Sequence, residues 1–116
     1  MLSIIILIVA LQHAYFLYFE MFAWTTIGAK IFRGYDAAFF EKSKTLAANQ
    51  GLYNGFLVAG LVWSFFIKDP VWQENIRIFF LACVAVAGIY GGLTASKKIF
   101  YVQGIPAILG LILIFL

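Results

Sequence analysis

A single cysteine, a single histidine and two prolines remove several chemistries before any motif is sought. With only Cys83, no disulfide can form within the chain. Its place inside an apolar run fits a small packing residue, with a reactive thiol as the other reading. One histidine, one acid in apolar sequence and no second histidine or cysteine at ligand spacing fall short of a zinc set, so no metal site is expected. No phosphate-binding loop, dinucleotide fingerprint or nucleophile elbow is present, and no soluble cofactor is expected. Charge is also scarce, at 11% of residues. The eight Lys and Arg are spread over short connections without a dense patch, so the net charge of +3 does not indicate nucleic acid. Cations flanking apolar spans are topology signals and contacts for anionic lipid.

What is present is apolar: 65% hydrophobic residues, with 13 Phe, 6 Tyr and 3 Trp. A soluble domain of this size buries only roughly two-thirds of the surface its unfolded chain exposes, too little to hide this composition. Lipid is the solvent that suits it, and 116 residues allow one domain. The N-terminal run has no preceding Lys or Arg and no small-residue cleavage motif, so it is expected to remain as a span.

A helix needs about 20 apolar residues to cross the hydrocarbon. Four segments offer this: 2–27, 45–67, 76–94 (from Asn75 or Ile76) and 99–116. The expected fold is therefore an all-α, four-transmembrane-helix bundle in a single domain. Lys30, Arg33, Lys42 and Lys44 lie between the first two spans, and Lys97 and Lys98 between the last two. Only Lys68 and Arg77 lie on the other side, beside Asp69 and Glu74, which puts both termini outside a bacterial cytoplasmic membrane. Residues 35–42 read either as a short helix in the interface or as an early start to the second span. Asp69-Pro70 with Trp72 reads as a turn with an interfacial anchor.

Small residues recur every four positions: Ala47, Gly51, Gly55 and Ala59 in the second span, and Gly88, Gly92 and Ser96 in the third. Such stripes let helices approach closely. Packing within the bundle is one use, and a homo-oligomer face through Gly51/Gly55 or Gly88/Gly92 is the other.

The polar residues inside these spans are the candidates for function. Glu20 lies too deep to reach water easily, and an acid there is a functional hypothesis by default. His13 is on nearly the same helical face, about 10 Å along the axis, and Trp24 continues that face, with Phe16 and Leu17 between. In the second span Gln50, Tyr53 and Asn54 share one face, and Asn49 pairs with Tyr53 across a turn. Gln50 to Asn54 is expected at the depth of Glu20, with Tyr90 and Gln103 in the same half. Pro106 removes a backbone hydrogen bond and is expected to kink the last helix.

The runs His13–Thr25, Ala48–Phe56 and Gln103–Ala107, above all Asn49-Gln50-Gly51-Leu52-Tyr53-Asn54-Gly55, resemble the bacterial membrane family catalogued as domain of unknown function number 1304. The resemblance covers essentially the whole chain and implies a small four-helix membrane protein without an assigned activity. Small multidrug exporters are similar in helix number, length and one first-helix acid, but they lack the amide-rich second helix. Membrane-associated glutathione and eicosanoid enzymes are similar in helix number and, loosely, in the long basic connection between the first two spans, but their Arg-rich second-helix signature is absent. Architecture of that kind does not establish function.

Four readings follow. The first is a site for a small amphipathic ligand or lipid, lined by Glu20, Trp24, Asn49, Gln50, Tyr53, Asn54, Tyr90 and Gln103, with Phe16 and Phe56 as further aromatic walls. The second is proton-coupled transport through Glu20, and the third an enzyme with His13 or Glu20 as general base. The fourth is a structural or partner-binding subunit. A space between Glu20, Gln50 and Asn54 favours a ligand or proton site; direct side-chain contact there favours a cross-link between helices.

Overall fold

The structure is a computed structural model that describes residues 1–116. It is all-helical, with no strand. Helix α1 spans Leu2–Phe22 and is followed by a π-helical turn, Trp24–Gly28, and a short α2, Ala29–Ile31. Helix α3 spans Ala37–Ser64 and α4 spans Pro70–Thr94. The chain ends with α5 (Lys97–Ile99), a π-helical segment (Phe100–Gly104) and α6 (Ile105–Phe115). Three helical stretches are long and apolar enough to cross a membrane: Leu2–Phe22, Pro70–Thr94 and Lys97–Phe115. Helix α3 is not among them, because its amides, its glycines and Glu41, Lys42 and Lys44 lower its apolarity.

Helix starts differ from the expected spans for reasons of capping. Helix α3 begins at Ala37, so residues 35–42 are an early start and not a separate interfacial helix. Asp36 accepts the Phe39 N–H at 2.9 Å, filling a donor that the first turn leaves open. Gly34, with φ of 101°, makes the preceding turn in a conformation that costs other residues a clash at Cβ. Helix α4 starts at Pro70 instead of Asn75 or Ile76. Asp69 caps it by accepting from Val71 N–H at 2.9 Å, and Pro70 occupies a position where no N–H is needed. Pro106 sits at the start of α6, directly after the π-helical segment that widens the chain there.

The chain forms two compact units, Met1–Gln12 with Leu57–Leu116, and His13–Phe56. The first has a core of Ile6, Val9, Ala10, Leu61, Leu81, Val84, Ala85 and Ala107. Its helices touch through glycine: a Cβ on Gly88 would lie 2.6 Å from the Gly104 backbone, and one on Gly92 2.6 Å from Phe100 Cβ. The second unit is a hairpin of the end of α1 and the start of α3. Here a Cβ on Gly51 would meet Met21 Cγ at 2.7 Å, and one on Gly55 would meet Leu17 Cδ1 at 2.8 Å. All four glycines singled out for association are thus used in packing within their own unit.

Candidate functional site

The hairpin places three of the predicted residues on one another. Glu20, near the end of α1, is only 3% exposed. Gln50 Nε2 donates to Glu20 Oε2 at 2.5 Å, and Asn54 Nδ2 donates to Glu20 Oε1 at 2.6 Å. Gln50 and Asn54 share a face of α3 because they are four residues apart, and Gly51 between them lets α3 lie close to Leu17, Glu20 and Met21. Each carboxylate oxygen therefore has an amide donor. A buried acid left without such donors would carry the penalty of an unmade hydrogen bond, about 1–3 kcal/mol or more for a charged group. The contacts between Glu20, Gln50 and Asn54 are direct.

The remaining candidates lie elsewhere. His13 is completely buried in α1 and meets Phe16 edge to face, with ring centroids 5.0 Å apart. Glu20 takes its two amide donors from α3. Tyr53 is 65% exposed and packs edge-on against the exposed Phe56 at 5.6 Å. Asn49 turns its amide to its own helix, donating to the Thr45 carbonyl at 3.0 Å. Tyr90 and Gln103 belong to the other unit. Within the hairpin, Glu20, Gln50 and Asn54 form a three-residue clamp, and Asn49 and Tyr53 are not part of it.

Trp24 has a second role that the sequence did not suggest. Its indole N–H donates to Ser43 Oγ at 2.9 Å, and that hydroxyl donates to the Phe39 carbonyl at 2.7 Å. The ring stacks on Phe19 at 6.5 Å and meets Phe32 at 5.6 Å and Phe40 at 5.3 Å. The π-helical turn brings this ring over Gly28, where a Cβ would lie 2.7 Å from Trp24 Cε3. The Gly28 N–H bonds back to the Ala23 carbonyl at 3.0 Å, the wider spacing of a π turn. An aromatic cluster therefore closes the bend of the hairpin while Glu20 fastens its two arms.

Sequence reasoning also missed Arg77. It was counted as a loop cation, yet it is 8% exposed in α4 and donates through Nε to Ser64 Oγ at 3.0 Å. Its guanidinium carbon lies 4.7 Å from the Phe65 ring centroid. Reading Asp69-Pro70 as a helix cap with its first residue, and not only as a turn, places Arg77 two turns inside the helix.

No cluster of three or more His, Cys, Asp or Glu side chains suited to a metal ion occurs. An open apolar groove of about 520 Å³ lies along α4, lined by Phe79, Ala82, Cys83, Val86, Ala87 and Tyr90.

Comparison with known proteins agrees with this sequence pattern. The family described as protein of unknown function (DUF1304) matches over residues 7–115. An uncharacterized protein, YpaA, of Lactococcus lactis subsp. lactis (strain IL1403) is 37% identical over 111 residues, which is 94% of this chain and 92% of that relative. No solved structure matches. The chain belongs to the DUF1304 family.

Proposed function

We propose that this member of the DUF1304 family is a four-span membrane protein in which Glu20 is an internal fastener, and that the hairpin it holds binds a partner within the membrane. The observation that carries the reading is that both Glu20 oxygens accept directly from Gln50 and Asn54. A ligand-binding or proton-carrying acid needs room for its substrate or a path for its proton; here two amides of the same chain occupy the carboxylate. Three apolar helical stretches supply crossings, and α3, long enough at 28 residues, supplies the fourth. Its Glu20 partners, Gln50 and Asn54, are among the residues that lower its apolarity. Both termini then lie outside, with the basic residues of 30–44 and 97–98 in the cytoplasm.

A partner is supported by what α3 leaves uncovered. Asn49, Gln50, Tyr53 and Phe56 are exposed on this helix, and amides facing hydrocarbon alone are costly. A photo-crosslinking residue at Tyr53 in intact cells tests this. A discrete protein adduct at Tyr53, absent when the crosslinker stands at the exposed Val86 of α4, is expected. Adducts with lipid alone at both positions would contradict the partner-binding role.

A ligand-binding role is favoured by one observation, the exposure of Gln50, which leaves Glu20 a single side chain from the surface. A small amphipathic molecule that displaced the Gln50 amide could then reach the carboxylate. Mass spectrometry of the protein released from native membrane distinguishes this reading: a stoichiometric small molecule lost in Gln50→Leu supports it.

A further inference from the structure

Arg77 stands apart from every residue used so far. As a residue it is 8% exposed, on an apolar helix, and it makes no ion pair. Its one hydrogen bond, from Nε to Ser64 Oγ, fixes the side chain along the junction of α3 and α4. Ser64 is itself held, donating to the Leu61 carbonyl at 2.6 Å, while its own carbonyl accepts from Gln73 Nε2 at 3.0 Å. Phe65 packs against the guanidinium plane. The two Nη groups make no hydrogen bond and are not among the buried polar atoms left unpartnered, so they reach the surface of the unit.

A largely buried cation with a positioned stem and an open fork of N–H donors is built to receive an oxyanion. The nearby carboxylates do not meet it: Asp69 accepts from the first turn of α4, and Glu74 is exposed without an ion pair. The surrounding aromatics indicate which oxyanion. Trp63, Phe66 and Trp72 are all exposed beside this junction, as residues at the level of lipid headgroups are. Arg77 lies about 10 Å along α4 from Pro70, a depth from which its long side chain extends toward the interface. The oxyanion abundant at that level is phosphate.

We propose that Arg77, braced by Ser64 and Phe65, is a phosphate-binding site at the α3–α4 junction, filled by a phospholipid headgroup or by soluble phosphate. The site depends on the membrane placement of α4 but not on the Glu20 fastener. The fork takes two phosphate oxygens through Nη1 and Nη2, and Nε stays on Ser64.

The direct test is a distance measurement on wild-type residues. Protein with 15N-arginine and Arg33→Lys, which leaves Arg77 as the sole labelled side chain, is reconstituted into phosphatidylglycerol bilayers. Nitrogen–phosphorus dipolar recoupling is expected to place phosphorus about 4 Å from Nη, as follows from an N–H···O contact near 2.8 Å. The same sample in detergent with inorganic phosphate identifies the source. A contact only in bilayers assigns the lipid headgroup, and a contact in both assigns phosphate from either source. No contact in either, in samples with unchanged helical circular dichroism, overturns the proposal. Flotation with liposomes shows independently whether the chain is membrane-inserted, so a failed contact in a floating sample counts against the site alone. In a second arm, native mass spectrometry should find phosphatidylglycerol retention reduced about tenfold in Arg77→Gln, and less in Arg77→Lys, which keeps the charge without the fork. Equal retention in a folded Arg77→Gln also overturns it.

Discussion

Asn54 Nδ2 donates to Glu20 Oε1 at 2.6 Å, joining two helices that are far apart in sequence by a bond between side chains. Gln50 does the same at the other oxygen, and the two together make the acid part of the helix interface. The consequences of that pairing are measurable.

Replacing Glu20 should separate shape from charge. Glu20→Gln keeps an acceptor and the side-chain length, and it is expected to cost about 1 kcal/mol or less. Glu20→Leu leaves both amides without their acceptor and should cost roughly 1–3 kcal/mol. Reversible unfolding in mixed micelles gives both values. Equal losses for the two variants would mean that the carboxylate is not held as described.

Glycine contacts rank the next set. Gly88→Ala places a Cβ 2.6 Å from the backbone of Gly104, which has no side chain to move aside. Gly28→Ala meets a Trp24 ring that can shift. The former should destabilise by about 1–3 kcal/mol through overpacking, and by more than the latter. Thermal scans of the two proteins in the same detergent decide the order.

The bend of the hairpin depends on one hydroxyl. Ser43→Ala leaves the Trp24 indole N–H without its acceptor and should cost about 1 kcal/mol. It should also weaken the near-ultraviolet circular dichroism of a variant that keeps Trp24 while Trp63 and Trp72 are changed to Phe. An unchanged spectrum and stability would mean that ring packing alone holds the turn.

Cys83 reports on α4. It is half-buried in an apolar groove of a helix long enough to cross a membrane. Because reaction requires the thiolate and water, a charged maleimide should leave Cys83 unlabelled in liposomes and label it after denaturation. Rapid labelling in liposomes would contradict a lipid-facing α4.

Much of this was legible from spacing. The four-residue separation of Gln50 and Asn54, and the antiparallel run of the second helix, together predicted their meeting with Glu20. The small residues at Gly51 and Gly55 predicted close approach. Legibility failed where local capping competed with composition. Asp36 and Asp69 start α3 and α4 earlier than hydropathy alone suggests, and the second shift hid Arg77. It failed again where partners are far apart in sequence and carry no periodic signal, as with Trp24 and Ser43 or Arg77 and Ser64.

The most direct measurement is a double-mutant cycle in lipid between Glu20→Leu and the pair Gln50→Leu with Asn54→Leu. An internal fastener requires the two changes to be strongly non-additive, with a coupling of about 1–2 kcal/mol in protein carrying no bound small molecule. Additive losses would contradict the fastener and return Glu20 to the role of a binding or proton-carrying acid.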